Sequence, residues 1–200
     1  MNYSKIRMCF AVFRFILQQI RNSFFVRKFF VPSQAKFQAP NIQKMYQLNL
    51  PEYKFSIKKQ NNKLLLFCAQ RKKYVSLTPE EFVRQHFIRF LIEEKNYPAP
   101  LIAIEHQIDF NGMKKRCDAV LFDKDAKPQL IIELKAPNIA ITQQVFDQAA
   151  VYNAKLNADY FMISNGLEHY CCRVDTKNAR YEFLPDIPHF ESFSEVRGKE

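Results

Sequence analysis

One stretch of the chain, RCDAVLFDKDAKPQLIIELKAP from Arg116 to Pro137, constrains the fold more than any other. Two apolar runs flank a polar turn, which predicts two adjacent antiparallel strands. Three charged residues, Asp118, Glu133 and Lys135, lie within these runs. Because a charge buried in a sheet is costly unless something compensates for it, these residues require either an ion pair or a bound cation.

The register of the two strands decides which of these charges meet. A turn centred between Asp125 and Ala126 would place Asp118 directly opposite Glu133, with Lys135 on the same face. A slip of one residue would separate the carboxylates. In this register two like charges face each other between apolar neighbours, so one takes up a proton or a cation lies between them. Two carboxylates with water and substrate oxygens suit Mg²⁺, and oxygen ligands suit Mn²⁺ as well.

A purely structural alternative is an ion pair of Lys135 with Asp118 or Glu133 at the edge of a sheet. The run LIIELKAP places Glu133 and Lys135 at the end of an apolar strand. Spare charges are rare in such a strand, which favours a functional site.

The segments before this stretch predict a β-hairpin and a helix. YKFSIKKQNNKLLLFCAQRKKYV indicates two strands joined at Gln60–Lys63. A helix is predicted by the segment LTPEEFVRQHFIRFLIEEKNYP. Thr78 is its expected N-cap and forms a capping box with Glu81 at the start of the helix. We expect Pro98 to end this helix. Its buried stripe would comprise Val83, Phe87 and Leu91.

The remaining elements predict a mixed sheet. LIAIEHQIDF, CDAVLF and QLIIELK are typical of strands, a helix is expected from Ile141 to Leu156, and DYFMISNGLEHYCCRV indicates two further strands. The expected fold class is α/β (α+β), with a mixed central β-sheet flanked by helices and preceded by a β-hairpin.

Charge and composition divide the chain and exclude some functions. Residues 1–44 hold eight Lys and Arg and no acidic residue, out of a net charge of +10, so residues 45–200 carry only +2. Bulk charge therefore gives almost no evidence that the domain binds nucleic acid. We expect residues 1–44 to be a basic apolar leader with a linker, or to precede the true start at Met45, and residues 191–200 to be a frayed tail. No GxGxxG or GxxxxGK[ST] loop occurs, so no nucleotide is expected as a ligand, and five cysteines without a CxxC pair suit a cytoplasmic protein.

These motifs together resemble the PD-(D/E)xK nuclease superfamily. Residues 45–190 are most similar to stand-alone relatives of the N-terminal nuclease domain of type I restriction enzyme restriction subunits. The matching blocks are LTPEEFVRQHFIRFL, KRCDAVLF, LIIELKAP, FDQAAVYN and SNGLEHYCC. The resemblance implies a restriction-endonuclease-like core in which Asp118, Glu133 and the Leu134 carbonyl bind a divalent metal and Lys135 is catalytic. Cys117-Asp118 replaces the usual Pro-Asp of the superfamily without changing the ligand.

Several further residues are candidates for the same site. Gln148 and Tyr152 share a helix face and resemble a Gln-x-x-x-Tyr motif of the superfamily, with Tyr152 expected to be mostly packing. The superfamily's first helix often lends an acidic residue, and Glu80 is preferred over Glu81 because Glu81 is the expected capping partner. Lys114, Lys115 and Arg116 are candidates for contacts with phosphate, although such clusters are usually solvated. Glu105 is expected to be an exposed strand carboxylate.

These inferences predict a magnesium-dependent deoxyribonuclease of the type I restriction kind. DNA is the expected substrate, with restriction-modification subunits or a separate motor protein as further partners. The main alternative is a catalytically silent DNA-binding or interaction module that keeps the nuclease fold. A membrane-associated role for residues 1–44 is a second alternative, which liposome flotation would test; a membrane-spanning helix is not expected, because Arg14 and Arg21 interrupt the apolar run.

Overall fold

The computed structural model describes residues 46–110, 112–175 and 180–193. The leader at residues 1–44, residue 111 of the predicted Asn-Gly turn and the tail from residue 194 lie outside the described residues. Within them the helices are α1 (Pro79–Glu93) and α2 (Gln143–Leu156), and a 3₁₀ helix spans Ala99–Leu101. The strands are β1 (Ile57–Gln60), β2 (Lys63–Cys68), β3 (Lys73–Ser76), β4 (Ile102–Phe110), β5 (Met113–Phe122), β6 (Pro128–Leu134), β7 (Tyr160–Ser164), β8 (His169–Asp175) and β9 (Arg180–Phe183).

The first three strands form a small antiparallel sheet in the order β1-β2-β3. Asn61 and Asn62 turn the chain between β1 and β2 with φ angles of 49° and 58°, as a tight hairpin turn requires. The predicted hairpin is confirmed, and β3 adds a strand that the sequence analysis did not separate from β2. On the inner face of β2, Leu66 and Cys68 are fully buried.

Helix α1 begins as predicted and ends earlier. The Thr78 hydroxyl accepts a hydrogen bond from the Glu81 amide at 3.1 Å, which confirms the N-cap. The second half of the predicted capping box is wrong, because the Glu81 carboxylate binds two arginines, Arg71 and Arg84, instead of the start of the helix. The last helical residue is Glu93 rather than a residue next to Pro98. The predicted stripe of Val83, Phe87 and Leu91 is confirmed, since all three are fully buried.

The other six strands form one mixed sheet in the order β4-β5-β6-β7-β8-β9. Among the strands that the structure describes, only β6 and β7 pair in parallel, and α2 connects them. Strand β9 was not predicted, and α2 begins at Gln143 rather than Ile141. The predicted fold class is confirmed: a mixed sheet is flanked by helices and preceded by a smaller sheet.

A hydrophobic core lies on each face of the mixed sheet. Phe87 and Leu91 of α1 pack on one face with Leu130 and Leu134, whereas Ala149 of α2 packs on the other. Both sides of β6 are therefore covered, which explains why its sequence is almost continuously apolar. In the described residues, no helix combines the length and the apolarity that crossing a bilayer requires.

Candidate active site

The predicted register of β5 and β6 is confirmed. Ala119 pairs with Ile132 and Val120 with Ile131, as a turn centred between Asp125 and Ala126 requires. One step further in the same register, Asp118 faces Glu133. The turn itself differs from the prediction: it is centred on Asp125, with Phe122 paired to Pro128, and a bulge between Leu121 and Phe122 shifts the ladder by one residue into the predicted register. The Asp123 carboxylate holds this turn by accepting hydrogen bonds from the amides of Asp125 and Lys127 at 2.9 and 2.8 Å.

Glu133 is a buried carboxylate with one unpaired oxygen. The residue is 2% exposed, and Oε1 accepts a hydrogen bond from Lys135 Nζ at 2.7 Å. Oε2 is buried and has no hydrogen-bond partner in the described structure. Burial, reinforced by the nearby Asp118 charge, raises the pKa of Glu133 to about 7. The Glu133–Lys135 ion pair that the structural alternative predicts is thus present, but it leaves half of the carboxylate unsatisfied.

Asp118 is held from two directions. Its Oδ2 accepts a hydrogen bond from the Leu134 amide at 2.7 Å, and its Oδ1 accepts one from Arg84 Nη2 of helix α1. The first bond ties Asp118 to the end of β6, and the second ties it to the helix on the opposite side. Asp118 is therefore oriented by both the backbone and a buried cation.

A chain of hydrogen bonds joins Lys135 to helix α2. Lys135 Nζ donates to Gln148 Oε1 at 3.1 Å, Gln148 Nε2 donates to the Tyr152 hydroxyl at 3.0 Å, and that hydroxyl donates to the Arg116 carbonyl at 3.0 Å. Burial by itself would lower the pKa of Lys135. The hydrogen bond to Glu133 and the nearby carboxylate charges raise it by more, so the pKa of Lys135 lies above its ordinary value. Gln148 is thus a neighbour of the predicted catalytic lysine. Tyr152 is buried as expected, and its hydroxyl also anchors α2 to β5.

Two arginines that the sequence analysis did not select organise the other side of the site. Arg84 is 5% exposed and binds Glu80, Glu81 and Asp118, while Arg71 binds Glu81 and Glu105. The only sequence signal for Arg84 was its i,i+4 spacing from Glu80. Arg71 was hidden in a basic triplet that is typical of a solvated surface.

The acidic residues of this network differ in exposure. Glu80 is the predicted helper, and its side chain is 48% exposed at 3.0 Å from Arg84. Glu81 is 5% exposed and bridges both arginines. Both candidates, Glu80 and Glu81, therefore lie near Asp118, because all three carboxylates bind the guanidinium group of Arg84.

Glu105 stands on β4 in a strained conformation. Its φ angle is 54°, which is uncommon for a residue other than glycine. The β4–β5 register places it opposite Asp118, between the pairs Ile104–Ala119 and His106–Cys117. The side chain is 26% exposed and binds Arg71 and Arg116, so it is paired rather than the exposed carboxylate that the sequence predicted.

The basic run before Asp118 lies on the approach to the site. Lys114 and Arg116 are exposed, and Lys115 is partly buried. Arg116 Nη1 lies 3.1 Å from Glu105 Oε1. Lys114 and Arg116 share the face of Asp118 on β5 and are accessible to a phosphate, whereas Lys115 points to the opposite face.

The donor set suits a hard divalent cation. Mg²⁺ is usually bound through one or two carboxylates, with water and substrate phosphate completing its coordination. Asp118 and the unpaired Oε2 of Glu133 supply such a pair, and a cation there would offset the repulsion that raises the Glu133 pKa. No cluster of three or more His, Cys, Asp and Glu side chains able to hold an ion occurs in the described part of the chain. A pair of carboxylates fits a metal ion whose remaining ligands come from water and substrate.

Comparisons with known proteins place the chain in a family. No curated protein matches it. A solved chain described as "the fragment structure of a putative HsdR subunit of a type I restriction enzyme from Vibrio vulnificus YJ016" is similar, with 20% identity and a TM-score of 0.44. The match covers 62% of this chain and 27% of that chain, so this chain spans well under half of that relative. The family model described as "Type I restriction enzyme R protein N terminus (HSDR_N)" matches residues 79–188, more than half of the chain. The chain therefore belongs to the family of type I restriction enzyme R protein N termini.

Proposed function

We propose that this domain hydrolyses phosphodiester bonds in DNA with the help of a divalent metal. The observation that carries the proposal is the buried carboxylate of Glu133, whose Oε2 has no hydrogen-bond partner in the described residues, between the partly buried Asp118 and the ammonium group of Lys135. An ion pair alone does not account for a carboxylate oxygen that is buried and unsatisfied. Membership of a restriction enzyme family supports the assignment to nuclease chemistry.

The proposed roles follow from the contacts. Asp118 and Glu133, with the Leu134 carbonyl, would hold Mg²⁺ or Mn²⁺. When bound, such an ion polarises the phosphate and lowers the pKa of a water molecule. Lys135 would orient the attacking water and stabilise the negative charge that develops on the phosphate.

The remaining candidates are proposed to act at a distance from the reacting atoms. Gln148 would be a positioning residue, because it fixes the Lys135 ammonium from the side of α2. Glu80 would help to orient Arg84, since its carboxylate lies 3.0 Å from the Arg84 guanidinium. Lys114, Lys115 and Arg116 would contact the DNA backbone, as basic side chains do in most protein–DNA interfaces.

One specific observation favours the alternative, a catalytically silent DNA-binding or interaction module. Arg84 already neutralises Asp118 by binding Oδ1, so the site holds an internal cation next to a proposed metal ligand. In either case we propose that the domain works with restriction-modification subunits or with a separate motor protein. The reason is that its family consists of N termini of the R protein of type I restriction enzymes.

Metal titration and a cleavage assay separate the two functions. Calorimetric titration of Mn²⁺ into the full chain, with a DNA oligonucleotide present, should show binding that Glu133→Gln abolishes. Plasmid and single-stranded DNA should be cleaved by the wild type in Mg²⁺ or Mn²⁺, and not by Glu133→Gln or Lys135→Met. Gln148→Ala should retain metal binding and slow cleavage, whereas Gln143→Ala, on the same helix, should leave it unchanged. Metal binding without cleavage of any DNA would favour the silent module, and the absence of metal binding would refute the nuclease.

A further inference from the structure

The three-stranded sheet is rich in positive charge, although the net charge of residues 45–200 is only +2. Residues 53–79 contain seven Lys and Arg and no Asp or Glu, whereas residues 80–200 contain 15 Lys and Arg and 19 Asp and Glu. Residues 53–78 precede the family match, which begins at residue 79. The basic members are Lys54, Lys58, Lys59, Lys63, Arg71, Lys72 and Lys73. This concentration of charge favours the approach of a polyanion to the small sheet.

The outward face of this sheet combines lysines with exposed aromatic rings. Phe67 of β2 pairs with Tyr74 of β3, and their ring centroids are 5.3 Å apart. Each of the two residues is 37% exposed. Lys58 of β1 lies on the same face, with Nζ 4.3 Å from the centre of the Tyr74 ring. Because successive residues of a strand point to opposite faces, the buried Leu66 points inward and this aromatic pair points to solvent.

Exposed aromatic rings beside lysines suit one class of partner well. Lysine ammonium groups neutralise phosphates, and aromatic rings stack on bases. A duplex hides the faces of its bases, whereas a single strand presents them. We therefore propose that the outward face of the β1-β2-β3 sheet binds single-stranded DNA. The choice of DNA over RNA rests on the proposed function, but the binding itself requires no cleavage.

The sheet is physically joined to the candidate active site. Arg71 lies in the connection between β2 and β3, and its Nη1 donates to Glu105 Oε2 at 2.7 Å. Glu105 faces Asp118 in the β4–β5 register. The same arginine binds Glu81 of α1. Arg71 thus links this sheet to the residues proposed to cleave DNA, and the sheet would favour single-stranded or unwound substrates.

The test measures binding by the full chain in EDTA, so that cleavage cannot contribute. Fluorescence anisotropy would follow a labelled thymidine oligonucleotide, the same strand as a duplex, an RNA of matched sequence, and vesicles of an anionic phospholipid. Three variants would be compared with the wild type: Phe67→Ala/Tyr74→Ala, Lys58→Gln/Lys63→Gln, and the control Lys124→Gln/Lys127→Gln. The control lysines are exposed in the β5–β6 turn and change the net charge equally.

We expect the aromatic variant to weaken single-strand binding at least about fivefold, the lower range for loss of one stacked base. Loss of two phosphate contacts in the lysine variant should reduce the slope of log K against log salt by about 1.4. The control should bind like the wild type. Circular dichroism and thermal melting would establish that each variant is folded, and the exposed lysine variant tests the proposal even if the aromatic variant unfolds.

Three outcomes would overturn the proposal. They are equal loss in the control and the sheet variants, unchanged binding in both sheet variants, and stronger binding to duplex, RNA or vesicles than to single-stranded DNA. None of these results bears on metal binding or cleavage. Failure of the sheet proposal and failure of the nuclease proposal are therefore distinguishable.

Discussion

Replacing Glu133 by glutamine should stabilise the metal-free protein above neutral pH. The folded-state pKa of Glu133 is about 7, against an ordinary value of 4.5. The folded state therefore binds the Glu133 proton more tightly than the unfolded state does. The free energy of unfolding is highest below pH 4.5 and falls as the pH rises from 4.5 through 7. The difference of about 2.5 pKa units corresponds to about 3 kcal/mol at pH 8, because each unit is worth about 1.4 kcal/mol. Since Glu133 is 2% exposed, solvent provides little screening of this cost.

Urea denaturation in EDTA would measure this effect at pH 5 and at pH 8. Glu133→Gln should match the wild type at the lower pH and exceed it by up to about 3 kcal/mol at the higher pH. Glu52→Gln removes an exposed carboxylate and serves as the control, with no gain expected. Metal at ten times its dissociation constant should then stabilise the wild type by about 1.4 kcal/mol and the variant less. A Glu133→Gln protein that is less stable than the wild type at pH 8 would refute the reasoning and identify Glu133 as a structural ion-pair partner.

Three further predictions concern the framework around the site. Arg84→Met should destabilise the protein by about 3–5 kcal/mol in urea denaturation, because it removes a buried cation from the buried Glu81 and the partly buried Asp118; a loss below about 1 kcal/mol would contradict this. Burial lowers the pKa of His86 to about 4, so the unfolded chain takes up the proton first, and about 3 kcal/mol of stability should be lost as the pH falls from about 6.5 to 4. His86→Gln should flatten that part of the pH profile, and an unchanged slope would show that another group is responsible. Gly166→Ala should destabilise the protein by about 1–3 kcal/mol, because φ is +82° and the new Cβ would lie 2.7 Å from Leu48 Cδ2; an unchanged melting temperature would count against that strain.

The local features of this chain were readable from sequence because their causes are local. The N-cap of α1 needs only a threonine hydroxyl and an amide three residues later. The turn between β5 and β6 is local as well, because its aspartate binds the turn's own amides, but the register beyond it also depends on a bulge between Leu121 and Phe122 that was not predicted. The capping box failed because Glu81 has the right spacing to close it, but its carboxylate is bound more strongly by Arg84 of the next helical turn and by Arg71 from the β2–β3 connection.

By itself, the sequence determined that Asp118 and Glu133 lie on neighbouring strands, with Lys135 on the face of Glu133. Alternation along a strand is sufficient for the shared face, whereas the placement of Asp118 opposite Glu133 also needs the bulge between Leu121 and Phe122, which only the structure shows. Only the tertiary structure decided which cations neutralise the cluster. Arg84 and Asp118 are 34 residues apart, as are Arg71 and Glu105, and each pair forms only when separate elements dock. Docking depends on the packing of whole apolar faces. The position of a charged side chain therefore depends more on that packing than on the residues next to it in the sequence.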